Sequence, residues 1–232
     1  EVPLARLADE AGGRIFVNTV SAGMLWGILG GGNVSMNNAV TNFLAGKQQD
    51  VIEKNLAAVK SGMEYGIALQ RAGEISISLP QCSKARGGLH LTGTDAVAMG
   101  AITGGCNFVS AYPMSPSTGV MTFLAKHGVD FGIVVEQVED EISAANMAMG
   151  AWYAGARGLT VTSGGGFALM TEAVSLAGMA EIPLVILLAQ RPGPATGLPT
   201  RTEQGDLNLA LYAGHGEFPR ILLAPGNPEQ AF

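Results

Sequence analysis

Four carboxylates crowd the segment "EQVEDEI": Glu136, Glu139, Asp140 and Glu141. Acids gathered where a helix begins ordinarily compensate its dipole on a solvated surface. Glu141 differs in leading directly into "ISAANMAMGA", which is small, apolar and without charge. A carboxyl group at the mouth of such a buried helix is partly desolvated, which suits it to share a proton. Arg191 poses a complementary question, because it comes after the apolar run "PLVILLAQ". Its planar fork reads either as half of a structural ion pair or as a two-bond clamp for a substrate carboxylate. The third feature is "YPMSPST", Tyr112 to Thr118, where Pro113 and Pro116 bracket Ser115. Two prolines restrict the backbone on either side of that serine. The segment is a stiff strand-to-helix turn, or it pre-positions a hydroxyl for chemistry.

Other motifs argue by what they lack. "SGGGF" (163–167) does not complete a GxGxxG fingerprint, because Leu169 stands where the last glycine belongs. It reads either as a tight turn exposing N–H groups ahead of a 167–180 helix or as a plain βα connection. His90 falls in a connector, and His127 and His215 each precede a glycine near an expected helix end, which favours C-capping. No Ser–His–Asp arrangement stands at a strand exit, so hydrolase chemistry is disfavoured. Cys82 and Cys106 are far apart and form no Cys-x-x-Cys pair. They read as free thiols in a reducing cytoplasm, with any metal chemistry supplied from elsewhere.

The elements that must position these residues differ between the two halves. Residues 1–67 are expected to be mostly helical. In "KQQDVIEKNLAAVKSGMEYG", Val51, Ile52, Leu56, Val59 and Met63 fall near one stripe. Asn33 or Ser35 is expected to cap a helix through Leu44, with Gly46 ending it. Residues 68–93, with Arg71, Lys84 and Arg86, suit a linker. From 94 onward, "NFVSAY", "FGIVVE", "GLTVTS", "PLVILLAQ" and "RILLAP" read as strands separated by helices around 94–105, 117–127, 140–154, 167–180 and 206–213. Near-continuous apolar strands alternating with helices predict an α/β fold with a parallel sheet covered by helices on both faces. Ligands then bind beyond the carboxyl ends of the strands, where all the singled-out loops lie. The net charge of −6 disfavours nucleic acid, and no uninterrupted apolar run predicts a membrane span. The chain opens on Glu1 and closes on "APGNPEQAF", which reads as a piece of a longer polypeptide.

Taken in order, "LTGTDAVAMGAITGGCNFVSAYPMSPST", "EDEISAANMAMGAWYAGARGLTVTSGGGF", "LMTEAVSLAGMAEIPLV" and "QRPGPATGLPTRTEQGDL" resemble the alpha subunit of the 2-oxoacid:ferredoxin oxidoreductases. The helical first half resembles the C-terminal part of the gamma domain that some members carry fused ahead of alpha. The resemblance implies a thiamine-diphosphate-binding domain of pyrimidine type over 94–232, truncated at its C-terminus, after a gamma remnant (1–67) and a linker (68–93). It implies that Glu141 hydrogen-bonds the aminopyrimidine ring. A proton shared there favours the tautomer whose exocyclic nitrogen takes the thiazolium C2 proton. Arg191 matches the carboxylate-binding arginine, Ser115 the hydroxyl residue of a Tyr-Pro-Ile-Thr-Pro motif, and Tyr112 and Pro113 the wall beside the pyrimidine. The implied activity is oxidative decarboxylation of a 2-oxoacid such as 2-oxoglutarate to its acyl-CoA, with CoA as co-substrate and electrons passed to ferredoxin. Mg²⁺, the diphosphate site and a [4Fe-4S] cluster are implied for a beta-subunit partner, in a cytoplasmic hetero-oligomer. A non-redox decarboxylase or transketolase-like half, and a non-catalytic scaffold, are the alternatives. The chain departs from the family pattern at Met114-Ser115 for Ile-Thr, Gly165 for proline, and Thr94-Asp95 for Asn-Glu.

Overall fold

The computed structural model describes residues 2–77, 79 and 88–232, so Cys82, Lys84 and Arg86 lie outside the described residues. The chain divides into two compact units, Glu1–Gly88 and Leu89–Phe232.

The first unit is helical: α1 (Leu4–Glu10), α2 (Val17–Ile28), α3 (Asn33–Phe43) and α4 (Gln49–Arg71). The expected aliphatic stripe makes up only part of its seam. Val59 and Met63 are buried, but Val51, Ile52 and Leu56 are only half-buried, and the rest of the buried face of α4 is Ala58, Gly62 and Gly66. The reason is backbone contact between α2 and α4. A Cβ at Gly23 or Gly27 would overlap the Val59 or Met63 carbonyl, and one at Gly62 or Gly66 the Val20 or Met24 carbonyl. Two G-x-x-x-G pairs thus let the helices approach until Cα–H groups face carbonyl oxygens. The cap of α3 also differs. Gly32 holds the N-cap position, Asn33 is the first helical residue, and the Ser35 hydroxyl donates back to the Gly32 carbonyl at 2.9 Å. Helix α4 continues to Arg71, beyond the point where the periodicity of the sequence fades.

The second unit is built on β1 (Phe108–Ala111), β2 (Val134–Gln137), β3 (Gly158–Thr162) and β4 (Val185–Leu188). All pairings are parallel, in the order β2-β1-β3-β4. Parallel neighbours need crossovers. Helix α5 (Gly93–Thr103) precedes β1, α6 (Thr118–Phe131) links β1 to β2, and α7 (Glu141–Tyr153) links β2 to β3. Helices α8 (Gly164–Leu169) and α9 (Thr171–Ala180) link β3 to β4. Strand residues alternate between the two faces. Val109, Ala111, Leu159 and Val161 pack with Ala98 of α5 and Val120 and Leu124 of α6. On the opposite face α7 lies over β1 and β3, its Ala144 and Ala145 joining Phe167 of α8 and Ala173 of α9. Ser110 of β1 donates to the Ala144 carbonyl at 2.6 Å and fixes α7 on the sheet.

Helices α10 (Leu207–Tyr212) and α11 (Pro228–Ala231) complete the unit. The expected fifth strand, "RILLAP", forms no strand, and Ile221 and Leu223 are each 87% exposed. An apolar run becomes a strand only where a neighbour accepts its ladder hydrogen bonds. His127 does not cap a helix end, because α6 runs on to Phe131 and ends at Gly132 in the left-handed conformation. His215 donates its backbone N–H to Ser175 Oγ and faces Glu172 Oε2 at 3.2 Å.

Two helices of this unit start on caps that involve an aspartate. Thr92 and Asp95 form a reciprocal capping box at α5, and Asp140 accepts from the Ser143 N–H at 2.7 Å at α7. The Thr92 hydroxyl holds the Asp95 carboxyl below the ordinary aspartate range, and the Ser143 N–H does so for Asp140. A depressed folded-state pKa contributes stability that is present above the unfolded value and lost as pH falls through the folded one. Asp140→Ala should therefore lower Tm at neutral pH, and its deficit against the parent protein should shrink as pH drops below about 4. A deficit that stays constant in melts across that range would rule out a charge-dependent cap.

Candidate functional site

The strand order puts β2 and β3 on either side of β1, with α6 on one face of the sheet and α7 on the other. This is a topological switch point, and doubly wound sheets bind ligands in the crevice outside the carboxyl ends of the strands there. "YPMSPST" leaves β1, the glycine triplet leaves β3, and Arg191 lies just past β4.

Glu141 is the first residue of α7 and is only 4% exposed, while Glu136 and Glu139 are exposed. Of the four acids, it alone is turned into the protein. Asp140 takes the capping duty, which leaves the Glu141 carboxyl uncommitted, and its Oε1 is buried with no hydrogen-bond partner. The position is held by close packing, because a Cβ at Gly166 would overlap Thr162 Oγ1 and lie 2.6 Å from Glu141 Cγ. The expected helix start at 167 is corrected by the structure. Gly164–Gly166 is the first turn of α8 itself, not a loop ahead of a later helix.

Arg191 and Ser115 meet. The Arg191 Nη1 donates to the Ser115 carbonyl oxygen at 2.7 Å, joining the exits of β4 and β1. Arg191 is 8% exposed, makes no ion pair among the described residues, and keeps a buried Nε without a partner. The Ser115 residue is exposed, and its hydroxyl makes no hydrogen bond among the described residues. The turn beneath it is held at the Met114 carbonyl, which accepts from the Ser117 hydroxyl at 2.7 Å and the Ser117 N–H at 2.9 Å. Tyr112 is 39% exposed and Pro113 half-buried on the same turn. No hydrogen bond joins Glu141 to Arg191 or Ser115. They are related through the sheet, where the Val138 N–H donates to the Ala111 carbonyl at 3.1 Å and the Ala189 N–H to the Thr162 carbonyl at 2.9 Å.

The structure adds residues that the sequence did not single out. Thr160 Oγ1, Ser163 Oγ and Asp206 Oδ2 are also buried without partners. Buried polar atoms are almost always satisfied. Of the five, Glu141 Oε1 and Arg191 Nε belong to the residues at the strand exits, where a polar ligand would supply the partner. Thr160 instead lies within β3, and the Asp206 carboxylate packs against Gly164. Ser163 precedes a helix and reads as a cap, yet it makes no capping bond. A cavity of about 440 Å³ lies in the first unit between α3 and α4 and includes Asn37, Lys60 and Glu64 in its lining. Its charged residues, Lys60 and Glu64, form an exposed i,i+4 ion pair at 3.9 Å. A smaller cavity of about 130 Å³ adjoins the strand ends, lined by Thr94, Val97, Pro116 and Ala189 among others. Volume and uncommitted polar groups point to different places, and chemistry goes with the polar groups. Among the described residues no group of three or more His, Cys, Asp or Glu side chains is arranged to hold a metal ion, and no described helix is long and apolar enough to cross a membrane.

Residues 99–232 match the family described as pyruvate flavodoxin/ferredoxin oxidoreductase, thiamine diphosphate-binding. The chain belongs to that family. Residues 1–65 match a second description, pyruvate ferredoxin/flavodoxin oxidoreductase. The chain is similar to the 2-oxoacid:ferredoxin oxidoreductase 2 subunit alpha of Aeropyrum pernix, 39% identical over 99% of the chain and 37% of that protein. It is similar also to the 2-oxoglutarate oxidoreductase subunit KorA of Mycobacterium tuberculosis, 38% identical over 80% of the chain and 29% of the relative. A solved structure, the 2-oxoglutarate:ferredoxin oxidoreductase of Magnetococcus marinus with 2-oxoglutarate, coenzyme A and succinyl-CoA bound, superposes with a TM-score of 0.86 at 35% identity. The match covers 99% of the chain and 40% of that structure's chain. The chain thus spans well under half the length of these relatives.

Proposed function

We propose that this chain supplies the pyrimidine side of a thiamine diphosphate site in a 2-oxoacid:ferredoxin oxidoreductase. Its reaction is oxidative decarboxylation of a 2-oxoacid to the acyl-CoA, with electrons leaving to ferredoxin. The observation that carries the reading is the buried, unpartnered Glu141 carboxyl at the start of α7, cradled by Gly166 at the switch point. An aminopyrimidine fits such a group, since its ring nitrogen and one carboxyl oxygen can share a proton out of water. When bound, thiamine diphosphate supplies the nucleophilic carbon and the electron sink for decarboxylation.

The chain's own residues then hold and exclude. Glu141 Oε1 keeps a proton at the ring nitrogen. Gly166 leaves room for the carboxyl, and Tyr112 and Pro113 wall the ring. Arg191, with one Nη fixed on Ser115, turns its remaining donors to the oxoacid carboxylate, and the Ser115 hydroxyl adds one hydrogen bond. In this reading residues 1–67 are the C-terminal helical part of a gamma domain, 68–93 a linker and 94–232 the alpha domain. Mg²⁺, the diphosphate site and the [4Fe-4S] cluster belong to a beta-subunit partner, CoA is co-substrate, and the complex is cytoplasmic. Support for the partner comes from the apolar outer faces of α7 to α9, where Ile142, Met147, Leu169, Leu176 and Met179 are exposed, as obligate interfaces require. The relatives named for 2-oxoglutarate favour that substrate among the 2-oxoacids.

The test is the holoenzyme with its partner subunit, assayed by viologen reduction on a panel of 2-oxoacids with CoA. Arg191→Lys loses the planar fork and should raise the oxoacid KM at least about tenfold, roughly 1.4 kcal/mol. Ser115→Ala should raise it by a smaller factor. An unaltered KM in Arg191→Lys means that the arginine is not the clamp.

A further inference from the structure

The loop from Gln190 to Asp206 leaves β4 and returns into α10, and one hydrogen bond ties its ends. The Asp206 N–H donates to Gln190 Oε1 at 2.9 Å, at the base of Arg191. Asp206 holds the N-cap position of α10, where an aspartate ordinarily accepts from its own helix. Here its side chain makes no capping bond. The carboxylate is turned to α8 instead and fills the space in front of Gly164, where a Cβ would overlap Oδ1 and Cγ. Its Oδ2 is buried. In a helical turn, positions 164 and 166 project to nearly opposite sides. The space beside Gly166 is taken by Thr162 Oγ1 and the Glu141 side chain, and that beside Gly164 by Asp206 alone. The first turn of α8 therefore lies between two carboxylates, with a glycine at each contact. Between these ends, the loop's only hydrogen bond to the rest of the unit among the described residues is Arg191 to Ser115.

We infer that Asp206 is a positioning residue, which locks the return end of the 190–206 loop against α8 and so holds Arg191 in register with Glu141. The inference rests on the reading of Arg191 as the oxoacid clamp. A loop rich in glycine and proline and anchored at one side chain would let the guanidinium wander, and displacements near 1 Å cost a binding or reacting group up to about 10²-fold. Because Arg191 grips the carboxylate in ground state and transition state alike, loosening it raises KM and leaves kcat nearly alone.

In the assembled holoenzyme, Asp206→Ala is expected to raise the oxoacid KM about tenfold, with kcat within about twofold. Thiamine diphosphate affinity should not change, since Glu141 is held on the far side of α8. Gly164→Ala pushes the same carboxylate out and should give the same KM. In the Asp206→Ala background the added methyl has room, so the double variant should be no worse than Asp206→Ala alone. Asp206→Asn keeps the volume and should show a smaller rise. A parental KM in both Asp206 variants overturns the inference, as do multiplying effects in the double variant or cofactor affinity falling in step with KM. If Asp206→Ala does not assemble, a parental KM in both Asp206→Asn and Gly164→Ala is decisive against it. Arg191→Lys separates the two readings. A raised KM there beside a parental KM in the Asp206 variants sinks the positioning role alone, whereas a parental KM in Arg191→Lys sinks the clamp.

Discussion

Glu141→Gln in the holoenzyme should remove oxoacid-dependent viologen reduction while leaving subunit assembly and Tm close to the parent's. The substitution keeps the shape of the side chain, so the packing beside Gly166 is preserved. What it removes is the capacity to hold a proton between the side chain and a ring nitrogen. Proton transfer by a positioned side chain is worth about 10²–10⁴-fold, and kcat should fall by at least that range. The geometry singles out this acid among its neighbours. Glu136 and Glu139 are exposed and Asp140 is committed to the Ser143 N–H, so the matching amide substitutions there should leave kcat within about twofold. Full activity in an assembled Glu141→Gln complex would refute the catalytic assignment and favour a scaffold.

Gly62→Leu should be the most damaging single change for folding. Any Cβ at this position meets the Val20 carbonyl, and it lies 2.9 Å from the Met24 backbone nitrogen. Backbone cannot swing aside as a side chain can, so α2 and α4 must separate. The seam of Val20, Val59 and Met63 then opens with them. Overpacking typically costs 1–3 kcal/mol, and with loss of the seam the cost here should be about 3 kcal/mol or more. Urea denaturation of the purified protein measures the cost, and hydrogen exchange at α2 and α4 amides localises it to the first unit. Gly93→Ala is the control, since a Cβ there meets nothing. Parental stability in Gly62→Leu would mean that the two backbones do not touch.

Legibility divides along physical lines. The parallel sheet was readable because each strand of a covered sheet must be a short apolar run, and β3 is buried along its whole length. "RILLAP" obeyed the same rule and is not a strand, because pairing depends on a neighbour that no local pattern encodes. The stripe on α4 was right in its five residues, which are buried or half-buried, but it missed the glycines that set the closest contact. Hydrophobic periodicity weights large side chains, whereas this seam is set by glycines whose value is the absence of one. The two G-x-x-x-G spacings stood in "GMLWG" and "GMEYG" and were the signal. Asp206 was legible only as an ordinary N-cap, and nothing in "EQGDLNLAL" reveals that its carboxylate serves a helix more than forty residues upstream.

The sequence by itself determined the order of βα units, the loops at strand exits and the motifs that place the chain in its family, all of which depend on residues near one another along the chain. The sequence also pointed to Glu141 as the desolvated acid among four, but only the tertiary structure decided which polar atoms lack partners, and that Arg191 rests on Ser115 seventy-six positions away. Burial and hydrogen-bond satisfaction depend on layers packed from distant segments. A cap or an ion pair is the default reading of a polar residue until those layers show that its usual partner has been withheld.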